Sequence, residues 1–231
     1  MNEYKDLILR LPPHFKTKKE FKGMSLVDIA KIQHPKFLST KTVNKYLGVA
    51  KEIFGYAERN NLIFKNPMEG LLLPESKRPD KLRDAFSTDD LNAIFSSRFY
   101  HQEKHKHPWQ FWIPILALFT GCRLEELCQL HVEDVRCEDG LWVLDINAKG
   151  QKRLKNITSE RVIPLHPILT EDLDFGGYAQ SIGKQGNERI FHTLKAVQNK
   201  FGHYPSRWFG EYKKKCGIDS SKKVFHSFRT R

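Results

Sequence analysis

The stretch that decides the fold is FWIPILALFTGCRLEELCQL, residues 111–130. It begins with an apolar run that is too short to cross a membrane but long enough for a buried helix. Thr120-Gly121 is a turn signal and ends that run. The apolar residues that follow recur at helical spacing, which predicts a second, amphipathic helix: Leu124, Leu127, Cys128 and Leu130.

Arg123 stands at the predicted start of this second helix, between a glycine turn and core residues. The position is unusual because helix N-termini disfavour cations and buried charges need partners. One explanation is an anionic ligand, with phosphate the first choice for a planar guanidinium. The other is a structural ion pair with Glu126, three residues further on. The segment alone leaves both explanations open.

Composition and charge indicate a polyanionic partner. The 231 residues suit one large or two small domains. Lys and Arg outnumber Asp and Glu by 39 to 27, a net charge of +12, and no basic amphipathic helix points to a membrane surface. Residues 1–82 hold 16 of the basic and 9 of the acidic residues, so this part is the more basic for its length. The alternative is a soluble basic protein without such a partner.

Cysteine and histidine spacing gives no metal site. The four cysteines form no C-x-x-C pair, which favours a reduced intracellular protein, and we find no signal peptide or membrane-spanning run. His101, His105 and His107 are spaced like ligands, but no cysteine or carboxylate cluster completes a site. We therefore interpret them as part of a polar loop and expect no bound metal.

The clearest early element is a helix from Ser39 to Asn60, capped by Ser39 or Thr40. The predicted core positions of this helix are Val43, Tyr46, Leu47, Ala50, Ile53, Phe54 and Ala57. Its polar positions carry the basic residues Lys41, Lys45, Lys51 and Arg59. Such residues either lie along a DNA phosphate backbone or form a solvated face, and both interpretations remain open.

The sequence predicts two domains. Asn66-Pro67 ends the first helical unit, and a charged, proline-containing stretch follows it. We place a helical domain at residues 1–76, a linker at 77–83 and a second domain at 84–231. Capping residues within 87–90 begin the first helix of the second domain.

A β-hairpin is predicted at Asp139-Gly140, followed by a third strand at 161–165, and Pro164 indicates that this strand lies at an edge or is ending. The polar loop between the hairpin and this strand carries Lys149, Lys152 and Lys155. Further helical segments are predicted near 168–173 and 207–216. The predicted fold class is therefore mainly α with a small antiparallel β-sheet (α+β).

Four pieces of this sequence occur in a fixed order: TGCRLEEL at 120–127, the lysine loop, RVIPLH at 161–166 and HSFR at 226–229. Together they resemble the tyrosine recombinase family, the phage-type integrases, whose pattern is T-G-x-R-x-x-E-L, a hairpin lysine, R-x-x-P-L and H-x-x-R. TVNKYL at 42–47 with Asn66-Pro67 is similar to the end of the helical core-binding domain of that family. The resemblance implies a core-binding domain and a catalytic domain that clamp duplex DNA in a C shape.

The resemblance also implies a chemistry and its residues. In this family a tyrosine attacks a DNA phosphodiester, forms a 3′-phosphotyrosyl link and releases a 5′-hydroxyl. By resemblance, Arg123 and Arg229 stabilise the phosphate charge, and His226 contacts the phosphate or moves the tyrosine proton. The hairpin lysine acts as general acid. Lys155, six residues before Arg161, is favoured by spacing, with Lys149 and Lys152 as alternatives.

Further implications concern cofactors, partners and location. Glu126 buttresses Arg123, and no metal or nucleotide cofactor is required. The expected partner is double-stranded DNA at attachment or core sites, with self-assembly of the full-length protein on DNA and no membrane association. The expected location is the cytoplasm of a prokaryotic cell, at the nucleoid.

One departure from the pattern limits the expected activity. The sequence ends two residues after Arg229, and Tyr178, Tyr204 and Tyr212 all precede the H-x-x-R segment, so none takes the place of the nucleophile. We expect a catalytic domain truncated at its C-terminus, monomeric in solution, that binds DNA without cleaving it. A catalytically inactive DNA-binding remnant or regulator is the alternative, and a basic protein-interaction module is a more distant one.

Overall fold

The computed structural model describes residues 2–74, 83–97, 100 and 105–229. The chain divides into two compact units, Met1–Arg78 and Pro79–Arg231. Of the linker predicted at 77–83, all but Arg83 lies outside the described residues. Within the described ranges, no helix is both long and apolar enough to cross a membrane.

The first unit is helical. It contains α1 (Asn2–Leu9), α2 (Leu26–Lys31) and α3 (Thr40–Arg59), with a 3-10 turn at Lys19–Phe21. The Ser39 hydroxyl caps α3 by accepting the Thr42 N–H at 3.3 Å. Buried residues form two small cores: Ile8, Val43, Leu47 and Met68 in one, and Leu11, Phe15, Phe21 and Ile29 in the other.

The core face of α3 is narrower than predicted. Val43 and Leu47 are fully buried, but Ile53 is 63% exposed, so its assignment to the core was wrong. At about 100° per residue, Ile53 lies roughly 80° around the helix from Val43. Tyr56 and Val49 are exposed on the same flank, and the cores of this unit do not extend to that side.

The second unit has a larger core around one apolar helix. Its first three helices are α4 (Thr88–Phe95), α5 (Pro108–Thr120) and α6 (Leu124–Cys128). The large aromatic residues of α5 are buried: Trp109, Phe111 and Trp112. Ser87 and Asp90 form a capping box at the start of α4, within the predicted capping segment.

A three-stranded antiparallel sheet follows these helices along the chain, with the order β1 (Val135–Glu138), β2 (Leu141–Ile146) and β3 (Arg161–Pro164). Asp139 and Gly140 connect β1 and β2 with φ of 49° and 82°, the left-handed turn that suits a two-residue hairpin. β3 is an edge strand and ends at Pro164, as predicted.

The last two helices are α7 (Phe175–Lys184) and α8 (His203–Lys215). α7 was not predicted because its first turn contains Gly176 and Gly177, which disfavour helix by propensity. A tertiary contact explains Gly176, where a Cβ would lie 2.6 Å from Trp142, and a local cap explains Gly177, whose N–H donates to the Asp174 carboxylate at 3.0 Å. The helical segment predicted near 168–173 is a π-helical turn, Ile168–Asp172.

Candidate functional site

Arg123 sits at the N-cap of α6, directly after the turn in which Gly121 adopts φ 61° and ends α5. The Arg123 backbone N–H donates to Glu126 Oε2 at 2.9 Å, and its guanidinium Nη1 donates to Glu126 Oε1 at 2.6 Å. A single carboxylate therefore neutralises the cation and caps the helix start. This arrangement explains how a positive charge is tolerated at a helix N-terminus.

Glu126 also holds a second arginine. Its side chain is 2% exposed and accepts from Arg161 Nη2 at 2.9 Å. Burial alone would raise the pKa of Glu126, but hydrogen bonds from Arg161 and Arg123 outweigh it and hold the pKa below its usual value. Arg161 additionally donates to the Ser159 carbonyl and to Cys122 Sγ. This buttressing role of Arg161 was not predicted, since its partners are distant in sequence.

The Arg123 guanidinium keeps donors free for a ligand. Nη1 also donates to Ser159 Oγ at 3.1 Å, while Nε and Nη2 form no hydrogen bond with any described residue. The side chain is 30% exposed. The predicted ion pair with Glu126 is confirmed, and the geometry leaves one edge of the guanidinium available to an anion.

His226 and Arg229 lie on a 3-10 helix, Phe225–Arg229. With three residues per turn, residues three apart share a face. Phe225 and Phe228 pack against Phe209, with ring centroids 5.3 Å from it in each case, so they face the core. His226 is exposed and Arg229 half-buried, and neither side chain forms a hydrogen bond with a described residue.

Charge effects place these two segments in one cluster. Burial lowers the pKa of Arg229, and the Arg123 charge lowers it further, against an opposing contribution from Glu126. Burial also lowers the pKa of His226, followed by the charges of Arg229, Arg123, Arg83 and Lys155. The lowered pKa of His226 favours its neutral form at pH 7, and Glu126, which pairs with Arg123 and Arg161, partly offsets the effect of the cations on Arg229.

The structure separates the three lysines of the loop between β2 and β3. Lys152 is buried and donates to Asp134 Oδ1 at 2.5 Å, which occupies its ammonium in a structural pair. Lys149 and Lys155 are both exposed. Of the three, Lys155 is the one whose charge contributes to the pKa of His226.

Two side chains that the sequence did not single out fix this loop. The Gln129 amide donates to the Arg153 carbonyl at 2.7 Å and accepts the Arg153 N–H at 2.8 Å. Asp134 Oδ1 accepts hydrogen bonds from Asn147 Nδ2 and from Lys152 Nζ. Because these contacts join residues 13 to 24 positions apart, sequence spacing gave no signal for them.

The basic residues predicted on α3 belong to the first unit. Lys41, Lys45 and Arg59 are exposed and fall within roughly 40° of one another around the helix, while Lys51 is half-buried and lies off this face. Glu52 lies within the same basic face.

The remaining sequence candidates do not form a site. Among the described residues, no group of three or more His, Cys, Asp or Glu could hold a metal, and His101 lies outside them. Tyr178 stacks on Trp112, and burial raises its pKa to about 12. The Tyr212 hydroxyl donates to the Ile94 carbonyl at 2.7 Å. Tyr204 is exposed on α8.

The sequence relatives found among curated proteins are both described as tyrosine recombinases. No protein-family profile matches the chain. A tyrosine recombinase of Pseudothermotoga lettingae is 25% identical over 189 residues, covering 80% of this chain and 57% of the relative. A tyrosine recombinase of Thermosipho africanus is 24% identical over 181 residues, covering 77% of this chain and 56% of the relative. The chain thus spans somewhat more than half the length of these curated relatives.

Solved structures share the fold. A lambda integrase (75–356) dimer bound to a COC′ core site has a TM-score of 0.54 at 19% identity, covering 82% of this chain and 64% of that chain. The Tn1549 transposon integrase in complex with transposon right end DNA has a TM-score of 0.56 at 18% identity, covering 83% and 65%. XerH recombinase bound to difH has a TM-score of 0.56 at 18% identity, covering 83% and 55%. In its motifs, its curated relatives and its mainly helical fold with a small antiparallel sheet, this chain resembles the integrase-type tyrosine recombinases.

Proposed function

We propose that this protein binds duplex DNA and takes part in site-specific recombination, with the phosphate of the cleavage site held by Arg123 and Arg229. The observation that carries the proposal is the cluster itself: the Arg123 and Arg229 guanidiniums come from separate segments, the charge of Arg123 lowers the pKa of Arg229, and the buried Glu126 carboxylate holds Arg123 in place. Repulsion between these cations is relieved when a phosphate binds between them.

The other proposed site residues follow from the same cluster. His226 shares the exposed face of its 3-10 helix with Arg229, and in its neutral form it can accept a proton or donate a hydrogen bond. Lys155 is the proposed general acid because its charge reaches His226 and because Lys152 is engaged with Asp134. Lys41, Lys45, Lys51 and Arg59 are proposed to contact the DNA backbone from the first unit.

The proposed reaction is a phosphoryl transfer. A tyrosine oxygen attacks the phosphodiester, a bond from phosphorus to tyrosine forms, and the bond to the 5′-oxygen breaks. The tyrosine proton passes to a base such as His226, and Lys155 protonates the departing 5′-oxygen. Tyr178 and Tyr212 have structural roles, and they and Tyr204 all precede the H-x-x-R segment, so none of the three is proposed as the nucleophile. The 231-residue chain by itself is proposed to bind DNA without forming the covalent link.

Salt dependence of duplex binding tests the phosphate-binding part. We expect the logarithm of the binding constant to fall linearly with the logarithm of salt concentration. Arg123→Ala with Arg229→Ala should reduce the steepness of that line by about 0.9, since the one phosphate that both arginines hold is lost, while the other phosphate contacts keep the chain bound to DNA. Lys184→Ala, an exposed cation at the end of α7, is the matched control. Binding that ignored salt would contradict the proposal.

Covalent trapping tests the chemical part. A duplex nicked near the cleavage site should give no denaturation-resistant adduct with the 231-residue chain. The product of the same reading frame extended past codon 231 should give an adduct if the protein is a recombinase. If the extended protein binds DNA but never forms one, the protein is instead a DNA-binding regulator with this fold.

A further inference from the structure

The start of the second unit is tied to the segment that carries His226. The Asp84 N–H donates to the Lys222 carbonyl at 3.4 Å, and Arg83 Nη1 donates to the Ser221 carbonyl at 3.4 Å. Residues 83–84 therefore lie alongside residues 221–222, a few positions before His226.

Side chains of the same two segments strengthen this pairing. The rings of Phe86 and Phe228 lie 4.9 Å apart, and Lys223 forms an ion pair with Asp90. Contacts at 83, 84, 86 and 90 with residues between 221 and 228 therefore fix the relative position of the two segments. Arg83 consequently has a defined place relative to His226 and Arg229.

The charge of Arg83 is not compensated within the described part of the chain. Its hydrogen bond to the Ser221 carbonyl is long, and no described carboxylate lies within ion-pair distance of its guanidinium. The nearby Asp84 carboxylate instead lies 4.0 Å from Lys222. Arg83 is exposed, so its unused donors are accessible to a ligand.

The cluster holds more positive charge than one phosphate can neutralise. The charges of Arg83, Arg123, Arg229 and Lys155 all act on His226, whereas Glu126 is the carboxylate that pairs with an arginine there. A phosphate bound by Arg123 and Arg229 brings one negative charge. Duplex DNA brings further phosphates on either side of it.

We propose that Arg83 is an additional DNA-phosphate-binding residue, which engages a phosphate next to the one held by Arg123 and Arg229. The inference rests on the proposed DNA binding and extends that site to the first residues of the second unit. Arg83 is a binding residue in this proposal, with no part in proton transfer. Its ligand is a backbone phosphate of either strand, recognised without regard to base sequence.

The test uses Arg83→Gln in the full 231-residue chain. Loss of one phosphate contact should reduce the steepness of the salt dependence by about 0.9 and weaken binding about tenfold at 0.1 M salt. In the free protein, the pKa of His226, followed by NMR of the imidazole, should rise because one nearby cation has gone. A purely structural role for Arg83 would not produce both effects.

Two controls separate charge from structure. Arg83→Lys keeps the positive charge and should preserve both the salt dependence and the pKa of His226. Lys184→Gln removes an exposed cation that does not contribute to the pKa of His226, and both readouts should stay at the wild-type values.

Each negative outcome has a distinct meaning. If Arg229→Ala reduces the salt dependence while Arg83→Gln leaves either readout unchanged, Arg83 is not a phosphate-binding residue and the proposal is overturned. If the wild-type chain shows no salt-dependent duplex binding, the proposed function fails first, and the role of Arg83 fails with it.

Discussion

At the scale of single residues, Glu126 is the side chain on which the arginine cluster depends. Glu126→Ala removes the shared partner of Arg123 and Arg161, and should lower the free energy of unfolding by about 3 kcal/mol. The estimate is at the low end for a broken buried pair because both arginines are partly exposed. Urea unfolding measures the loss.

Glu133→Ala is the control for this prediction. Glu133 is exposed on the 3-10 turn that follows α6, and its loss should change the free energy of unfolding by less than about 0.5 kcal/mol. Equal effects of the two substitutions would show that the ion pairs of Glu126 contribute no more to stability than an exposed carboxylate does.

His226 gives a prediction about pH. Its pKa in the folded chain is lowered by burial and by surrounding cations, so it titrates below the ordinary value of 6.5. As the pH falls, His226 is protonated in the unfolded chain before it is protonated in the folded chain. The free energy of unfolding therefore decreases as the pH falls below 6.5. His226→Gln should weaken this dependence, as the difference in urea midpoints between pH 7.5 and pH 5.0 would show. No difference between variant and wild type would contradict the lowered pKa.

At the scale of elements, α7 packs too closely on β2 for any side chain at Gly176. Gly176→Ala places a methyl group 2.6 Å from Trp142 and should destabilise the protein by about 1–3 kcal/mol. Gly210→Ala in α8 meets open space and should be neutral or stabilising by up to about 1 kcal/mol. Thermal unfolding of the two variants distinguishes the sites. Similar melting temperatures would contradict the close packing.

The loop between β2 and β3 gives a prediction of non-additivity. Asp134→Ala leaves the buried Lys152 ammonium without its carboxylate and should destabilise the fold by about 3–5 kcal/mol. Adding Lys152→Met removes the stranded charge and should recover part of that loss. Unfolding free energies of the two single variants and the double variant form the cycle, and strict additivity would show that the pair is not coupled.

Elements with a local signal were predictable from sequence, and those held by distant contacts were not. The apolar run of α5, the cap at Ser39 and the turn at Asp139-Gly140 each depend on residues that are close together in the sequence. Spacing and propensity were therefore enough to predict them. α7 depends on Trp142, which lies on another element, and local propensity opposes it. The ion pair between Arg123 and Glu126 was predictable because the two residues are three positions apart. The ion pair between Arg161 and Glu126 forms only once β3 has folded against α6, so the sequence did not reveal it.

At the scale of the whole molecule, the net charge of +12 opposes self-association of the free chain. We expect the 231-residue chain to be a monomer of 27.1 kDa in solution. Light scattering at two salt concentrations provides the measurement. A stable multimer at low salt would contradict the prediction.

The three-residue repeat of the turn at Phe225–Arg229 has a consequence for how this segment tolerates change. One residue inserted between Phe225 and Phe228 would rotate everything beyond it by a third of a turn. An aromatic ring would then face solvent, and the arginine would point toward the apolar interior. Substitutions that keep the length can therefore vary the chemistry of this segment, whereas a change in length would exchange its inner and outer faces.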